Sequence, residues 1–200
     1  MHSYDSATIS KDKYHLGFVA TYTDDKRNNK MLTSWGVYVN VRLQAYAGLN
    51  GFSKSFIQVI PEAILYESFD TNGNFVLSER LGGGLTAGKT ASYQSLFLGG
   101  EANLPGFKEQ RFAGQHMMYN NLDLRVKLGT LASYILPGQF GVTGFHAIGR
   151  VWEKREVSGG WHNAFGGGLY FSPSDMALLQ LRGAFSSDGF YPYVNFSLTF

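Results

Sequence analysis

Residues 37–47 alternate strictly: Val37, Val39, Val41, Leu43, Ala45 and Ala47 share one side, and Tyr38, Asn40, Arg42, Gln44 and Tyr46 share the other. Strand side chains point to opposite faces with period two, so this segment predicts a strand with one apolar face. The pattern returns along the chain. Leu122, Leu124, Val126 and Leu128 oppose Asn121, Asp123, Arg125 and Lys127; Ala177, Leu179, Leu181 and Phe185 oppose Gln180, Arg182 and Ser186. The last residues set Val194, Phe196, Leu198 and Phe200 against Tyr193, Asn195, Ser197 and Thr199. Nine strands are predicted, at 14–23, 31–47, 55–68, 74–87, 116–131, 138–152, 161–173, 176–187 and 191–200. The fourth is ambiguous, because Glu79 falls among its apolar positions.

Several of these strands exceed the usual five or six residues and reach the roughly 9–11 that a tilted transmembrane strand needs. The connections alternate between short segments (24–30, 69–73, 132–137, 173–175) and a second set (48–54, 88–115, 153–160, 188–190) that holds one very long loop. Short periplasmic turns and longer extracellular loops are the habit of outer-membrane barrels. A final strand ending on the aromatic Phe200 suits a closing seam. The pattern therefore predicts an all-β, antiparallel transmembrane barrel over 14–200, with 1–13 a polar N-terminal segment and 88–115 an extracellular loop. A soluble antiparallel sandwich also alternates and is the competing fold. Trp35, Trp152, Trp161, Tyr22 and Tyr193 lie near strand ends, where an interfacial girdle is expected.

Composition narrows this picture. Gly contributes 25 of 200 residues and aromatics 16%, which suits strands and turns. A net charge of +2 gives no reason to expect nucleic acid, and the absence of Cys excludes disulfides and thiolate metal sites. No run of 18 apolar residues predicts a membrane helix. The polar start, Met1 to Ser6, has no signal-peptide core; for an outer-membrane protein this leads to the expectation that the chain begins within a longer protein.

Enzymatic chemistry finds little support. Gly83–Thr90 fits the P-loop pattern GxxxxGK[ST], but Gly99 and Gly100 interrupt any following helix, and no βαβ alternation accompanies it. A nucleotide-binding protein is the remote alternative. His2, His15, His116, His146 and His162 show no metal spacing. No cofactor, metal or catalytic residue is expected.

Four motifs in order carry a more specific signal. Leu98-Gly99-Gly100-Glu101-Ala102-Asn103-Leu104-Pro105-Gly106-Phe107 resembles the sixth extracellular loop of the BamA/TamA surface-antigen family, which reads roughly LGG-x-x-x-LRGF. Tyr119-Asn120-Asn121-Leu122-Asp123-Leu124-Arg125 is similar to the strand that follows it there. Gly144 to Trp152 resembles the family's F-x-D-x-G-x-V-W strand, and Gly166 to Pro173 its G-x-G-x-x-x-x-P strand. The resemblance covers residues 93–200 by motif and 14–92 by strand pattern only. It implies the C-terminal half, about nine strands, of a sixteen-strand barrel in the bacterial outer membrane. It implies a role in inserting, assembling or exporting outer-membrane proteins. The implied partners are outer-membrane lipid, unfolded client proteins, periplasmic chaperones and accessory lipoproteins. A structural barrel that anchors or exports an upstream domain is the alternative.

The resemblance also implies site residues. Gly99, Gly100, Leu104, Pro105, Gly106 and Phe107 form the loop motif that enters the lumen. Asp123, Arg125, Ala147, Gly149 and Arg150 form the wall facing it, and Val194, Phe196, Leu198 and Phe200 the C-terminal signal strand. Two departures stand out: Pro105 occupies the place of the family's Arg, and Ala147 that of the wall Asp with which this Arg pairs. Losing one partner would strand a buried charge; losing both removes that penalty. Nine strands in one chain would leave two open edges, so the first and last strands are expected to be exposed unless they pair.

Overall fold

The computed structural model describes residues 11–132, 137–153, 160–174 and 177–198. Nine long strands form one sheet: β1 (His15–Asp25), β2 (Gly36–Gly48), β3 (Phe56–Ser68), β4 (Phe75–Gly88), β7 (His116–Leu131), β8 (Gly138–Trp152), β9 (His162–Ser174), β10 (Ala177–Ser186) and β11 (Gly189–Leu198). Their order in the sheet is their order in sequence, and every neighbouring pair is antiparallel. Two short strands, β5 (Leu96–Leu98) and β6 (Phe112–Gly114), pair with each other inside the long loop. Among the described residues β1 and β11 are the two edges, so the sheet is open and fits part of a barrel. Phe200 lies outside the described residues, as do residues 1–10.

Face by face, the period-two reading holds. Leu122, Leu124 and Leu128 of β7, Leu169 of β9, Leu179, Leu181 and Phe185 of β10, and Val194, Phe196 and Leu198 of β11 are all exposed. The opposite face carries the long loop and the buried cluster of Leu96, Leu98, Leu104, Phe107, Met117, Tyr119, Ala147 and Ala164. An apolar exterior with side chains packed inside is the arrangement of a membrane barrel. Glu79 does point outward, and Asn120 beside it donates a 2.8 Å hydrogen bond to its carboxylate, which lowers the cost of placing it there.

Inner-face glycines recur opposite inner-face rings. The register pairs Gly17 with Tyr46, Gly82 with Tyr119, Gly141 with Tyr170 and Gly166 with Phe145. A Cβ on any of the four would lie 2.1–2.6 Å from an atom of that ring. Each ring thus lies flat across the neighbouring strand, where a side chain would have held it off. Across Gly82, the Tyr119 hydroxyl reaches β3 and donates to Glu62 at 2.6 Å.

One strand starts later than its pattern suggests. The predicted strand 31–47 begins only at Gly36. The Asn29 carboxamide oxygen accepts from the backbone N–H of Met31 (2.7 Å) and Leu32 (3.0 Å), and that of Asn28 from Ser34 (3.0 Å) and Trp35 (3.3 Å). These side chains take donors that a strand would have used, so 26–35 turns instead.

The Asp70 carboxylate gathers backbone and side-chain donors at the 69–74 connection. Asp70 accepts from Asn74 N (2.7 Å), Asn74 Nδ2 (2.7 Å) and Phe75 N (3.1 Å). Desolvation pushes its carboxyl up, but the Phe75 and Asn74 donors outweigh this and hold it below the usual aspartate value. A depressed pKa contributes stability that is complete above the unfolded value, about 3.9, and lost as pH falls through the folded one. Amide protection of Asn74 and Phe75 is therefore expected to persist at pH 5 and fail below the ordinary aspartate range. Asp70→Asn should make that protection independent of pH over the same interval, as read by hydrogen exchange.

Candidate functional site

The loop between β4 and β7 does not stand away from the sheet. Gly99 and Gly100 adopt positive φ (127° and 89°), which turns the chain back on itself. Asn103 fixes the turn by accepting from Gly99 N (2.9 Å) and donating to Phe97 O (3.0 Å). Leu104 N–H then bonds Gly100 O at 3.0 Å, and Gly100 N–H bonds Phe107 O at 3.2 Å. Leu104 to Phe107 are all buried against the inner face.

Gly106 packs tightly against β9 and β10. It has φ +93°, and a Cβ there would lie 2.8 Å from the Ala164 Cβ, with the Cβ atoms of Ser186 and Ala184 at 3.3 and 3.5 Å. Its N–H donates to the Tyr193 hydroxyl at 2.9 Å, and its carbonyl accepts from Ser186 Oγ. On the other flank Arg80 donates to Ala102 O (2.6 Å) and Asn121 to Asn103 O (3.1 Å). Phe112 stacks on His162 with centroids 3.7 Å apart.

The wall residues divide by face. Ala147 and Gly149 are inward and buried; Ala147 is fully covered in the cluster that holds Leu104 and Phe107. Asp123 is inward and forms an ion pair with Arg182 at 2.5 Å. Arg182 reaches β7 from β10 by lying over the Phe145 ring, 4.3 Å from its centroid. The intervening inner positions on β9 are Gly166 and Gly168, which leave its path open. Arg125 is inward and donates to Thr33 O at 2.6 Å, joining the wall to the 26–35 turn.

Arg150 belongs to the other face. It follows the inward Gly149 directly, so strand alternation turns it outward, where it lies 5.2 Å from the Trp152 ring centroid. This corrects its expected place on the lumen wall. Tyr193 departs in the opposite sense, being no girdle residue but an inward one bonded to the loop. Trp152 and Trp161 meet edge to face at 6.0 Å.

Below the loop tip lies a polar cavity of about 590 Å³, lined among others by Arg80, Pro105, Asn121, Asp123, Arg125, Thr143 and Arg182. Asn121 Oδ1, Thr143 Oγ1 and Arg182 Nε are buried there without a protein partner. The GxxxxGKT segment is part of this architecture, not a phosphate cradle. Gly83 to Gly88 are strand residues of β4, and the next regular element is a single 3-10 turn, Ser92–Gln94. A P-loop needs a helix at that point. Among the described residues no His, Asp or Glu cluster could hold a metal, and no helix is long and apolar enough to cross a membrane.

A family model, the Omp85 superfamily domain, matches residues 3–186. The chain belongs to the Omp85 superfamily. Among solved structures, this Omp85 chain is similar to BamA from Haemophilus ducreyi, crystallised without POTRA domains 1-3, with a TM-score of 0.68 and 15% identity. The match covers 92% of this chain and 42% of the BamA chain. At that identity the likeness is one of fold, a BamA/TamA-type outer-membrane barrel. No curated protein matches the sequence.

Pro105 and Ala147 are both buried, Ala147 in the cluster that holds Leu104 and Phe107. Ala147 alone changed to Asp should destabilise the folded chain by several kcal/mol, because it buries a charge beneath Leu104 and Phe107. Pro105→Arg together with Ala147→Asp should recover part of that loss. A double-mutant cycle by denaturant titration in lipid vesicles checks this; zero coupling would mean that the two positions do not meet.

Proposed function

We propose that this chain serves the insertion, assembly or export of outer-membrane proteins, with β11 as the edge on which a client strand pairs. What supports this reading is the Omp85 match together with the BamA-like fold of the sheet that β11 ends. β11 has β10 on one side and no strand on the other among the described residues. Its outward residues Val194, Phe196 and Leu198 are apolar and exposed. An edge strand presents a row of unpaired N–H and C=O groups, and in hydrocarbon such a row demands a partner. Strand pairing needs no cofactor and no catalytic residue, so the protein acts here without enzymatic chemistry. The partners are outer-membrane lipid and unfolded barrel clients, with chaperones and accessory lipoproteins delivering them. The test is reconstitution of the intact protein in vesicles of outer-membrane lipid with an urea-unfolded barrel client. Faster client folding than in empty vesicles is expected; equal rates would count against an assembly role.

A second reading, an anchoring or exporting barrel for an attached domain, is favoured by one observation. Pro105 and Ala147 stand where the family's charge pair stands. In that case the vesicle experiment shows no acceleration, while the attached domain loses its membrane association when the barrel is removed.

A further inference from the structure

Along the outward face of β2 the side chains shrink toward one end. Val37, Val39, Val41 and Leu43 give way to Ala45 and Ala47. The flanking strands keep large residues at that level. Ala45 stands between Phe18 of β1 and Ile57 of β3 in the register, and Ala47 stands beside Leu16 of β1. Ile57 in turn faces Ala87 of β4. Leu16, Phe18 and Ile57 are 69%, 57% and 50% exposed, so they rise from the sheet on either side of the alanines. The result is a groove of about 720 Å³ whose lining carries no charge. It follows β2, which has β1 on one side and β3 on the other.

The groove ends among lysines. Lys54 directly precedes the lining residue Ser55, and Lys89 directly follows the lining residue Gly88. The two segments are joined where Lys89 N–H donates to Ser55 O at 3.4 Å. Both lysines are exposed, and neither forms an ion pair among the described residues. Lys11 and Lys13 belong to a segment tied to the same strand ends: Leu49 N–H donates to Tyr14 O and Asn50 Nδ2 to Asp12 O, each at 2.9 Å. Residues 11–14, 48–55 and 87–95 together hold four Lys and one acid, Asp12. An apolar groove that runs into a cationic rim is complementary to a molecule with an acyl chain and an anionic head.

We propose that this groove binds one anionic phospholipid of the bilayer, with an acyl chain along Ala45 and Ala47 and the phosphate held by Lys54 and Lys89. Lipid tails are as apolar as the groove, so the groove selects by packing and not by the hydrophobic effect. The lysines supply the preference for negative charge, through charge-assisted hydrogen bonds to phosphate oxygens. The site rests on the outward face of a membrane barrel and not on the assembly role; an anchoring barrel would carry it equally.

The test titrates the intact protein, folded in neutral detergent micelles, with phosphatidylglycerol, with phosphatidylcholine of the same chains, and with inorganic phosphate, and reads retained lipid by native mass spectrometry. One phosphatidylglycerol should be held in preference to phosphatidylcholine. Lys54→Gln with Lys89→Gln should weaken phosphatidylglycerol binding about fivefold for each lysine and leave phosphatidylcholine unchanged. Lys26→Gln with Lys30→Gln, at the far ends of the same strands, should change neither. Ala45→Leu with Ala47→Leu fills the groove without touching the inner core and should weaken phosphatidylglycerol binding. Equal affinity for the two lipids, or an unchanged affinity in the Lys54/Lys89 variant, would overturn the proposal. Undiminished binding in the folded alanine variant would reduce the site to headgroup adsorption and overturn the groove. Displacement of the lipid by inorganic phosphate at equal concentration would show a phosphate site and overturn the lipid assignment.

Discussion

Gly106→Val is expected to unseat the loop from the inner face. The position has φ +93°, and the Ala164 Cβ would stand 2.8 Å from the new Cβ. A β-branched residue in the left-handed region is strained by about 1–2 kcal/mol, and overpacking adds about 1–3 kcal/mol. The Tyr193 and Ser186 bonds to Gly106 would be lost with the same displacement. A total destabilisation of about 2–5 kcal/mol follows, large enough to shift the loop without melting the strands. Limited proteolysis should then cut within 96–114, where the native chain is expected to resist. Continued resistance would mean that the loop does not depend on this approach.

Breaking the Asp123–Arg182 pair should also destabilise the folded chain. Its members come from β7 and β10, and Arg182 also covers the Phe145 ring. Removing either partner leaves a largely covered charge, at a cost of about 2–3 kcal/mol in this polar setting. Removing both, as Asp123→Asn with Arg182→Gln, should cost clearly less than the sum, because no lone charge remains. Denaturant unfolding of the four proteins in vesicles measures the coupling. Additive losses would show that lumen water screens the pair fully.

Much of this architecture was legible in single residues. Period two gave the strands and, through them, the inward sense of Asp123 and Arg125; the inward sense of Ala147 and Gly149 came from the motif likeness. The same rule, applied strictly, turns Arg150 outward and Tyr193 inward; those two expectations failed because motif likeness and nearness to a strand end were weighed above parity. The late start of β2 was written in Asn28 and Asn29, whose side chains compete with the ladder, but the alternation that starts at Val37 was extended back over 31–35. The register partners of Gly17, Gly82, Gly141 and Gly166 were not legible. A glycine's ring neighbour lies on another strand, and only pairing brings the two together. For the same reason the loop's hold on β11 was hidden: its bonds join residues 80–94 positions apart for Ser186, Tyr193 and Asn195.

The central claim is that β11 is a working edge, and site-specific crosslinking to a client tests it most directly. Single cysteines are placed at outward positions of β11 (Val194, Phe196), of β1 (Phe18) and of the interior strand β3 (Leu65) in the intact protein, and paired with a cysteine in the last strand of a stalled barrel client. The account predicts links at β11, the last strand of the sheet among the described residues, and none at β3, which is flanked by β2 and β4. Equal linking at all four positions, or links at β3 but not at β11, would contradict it.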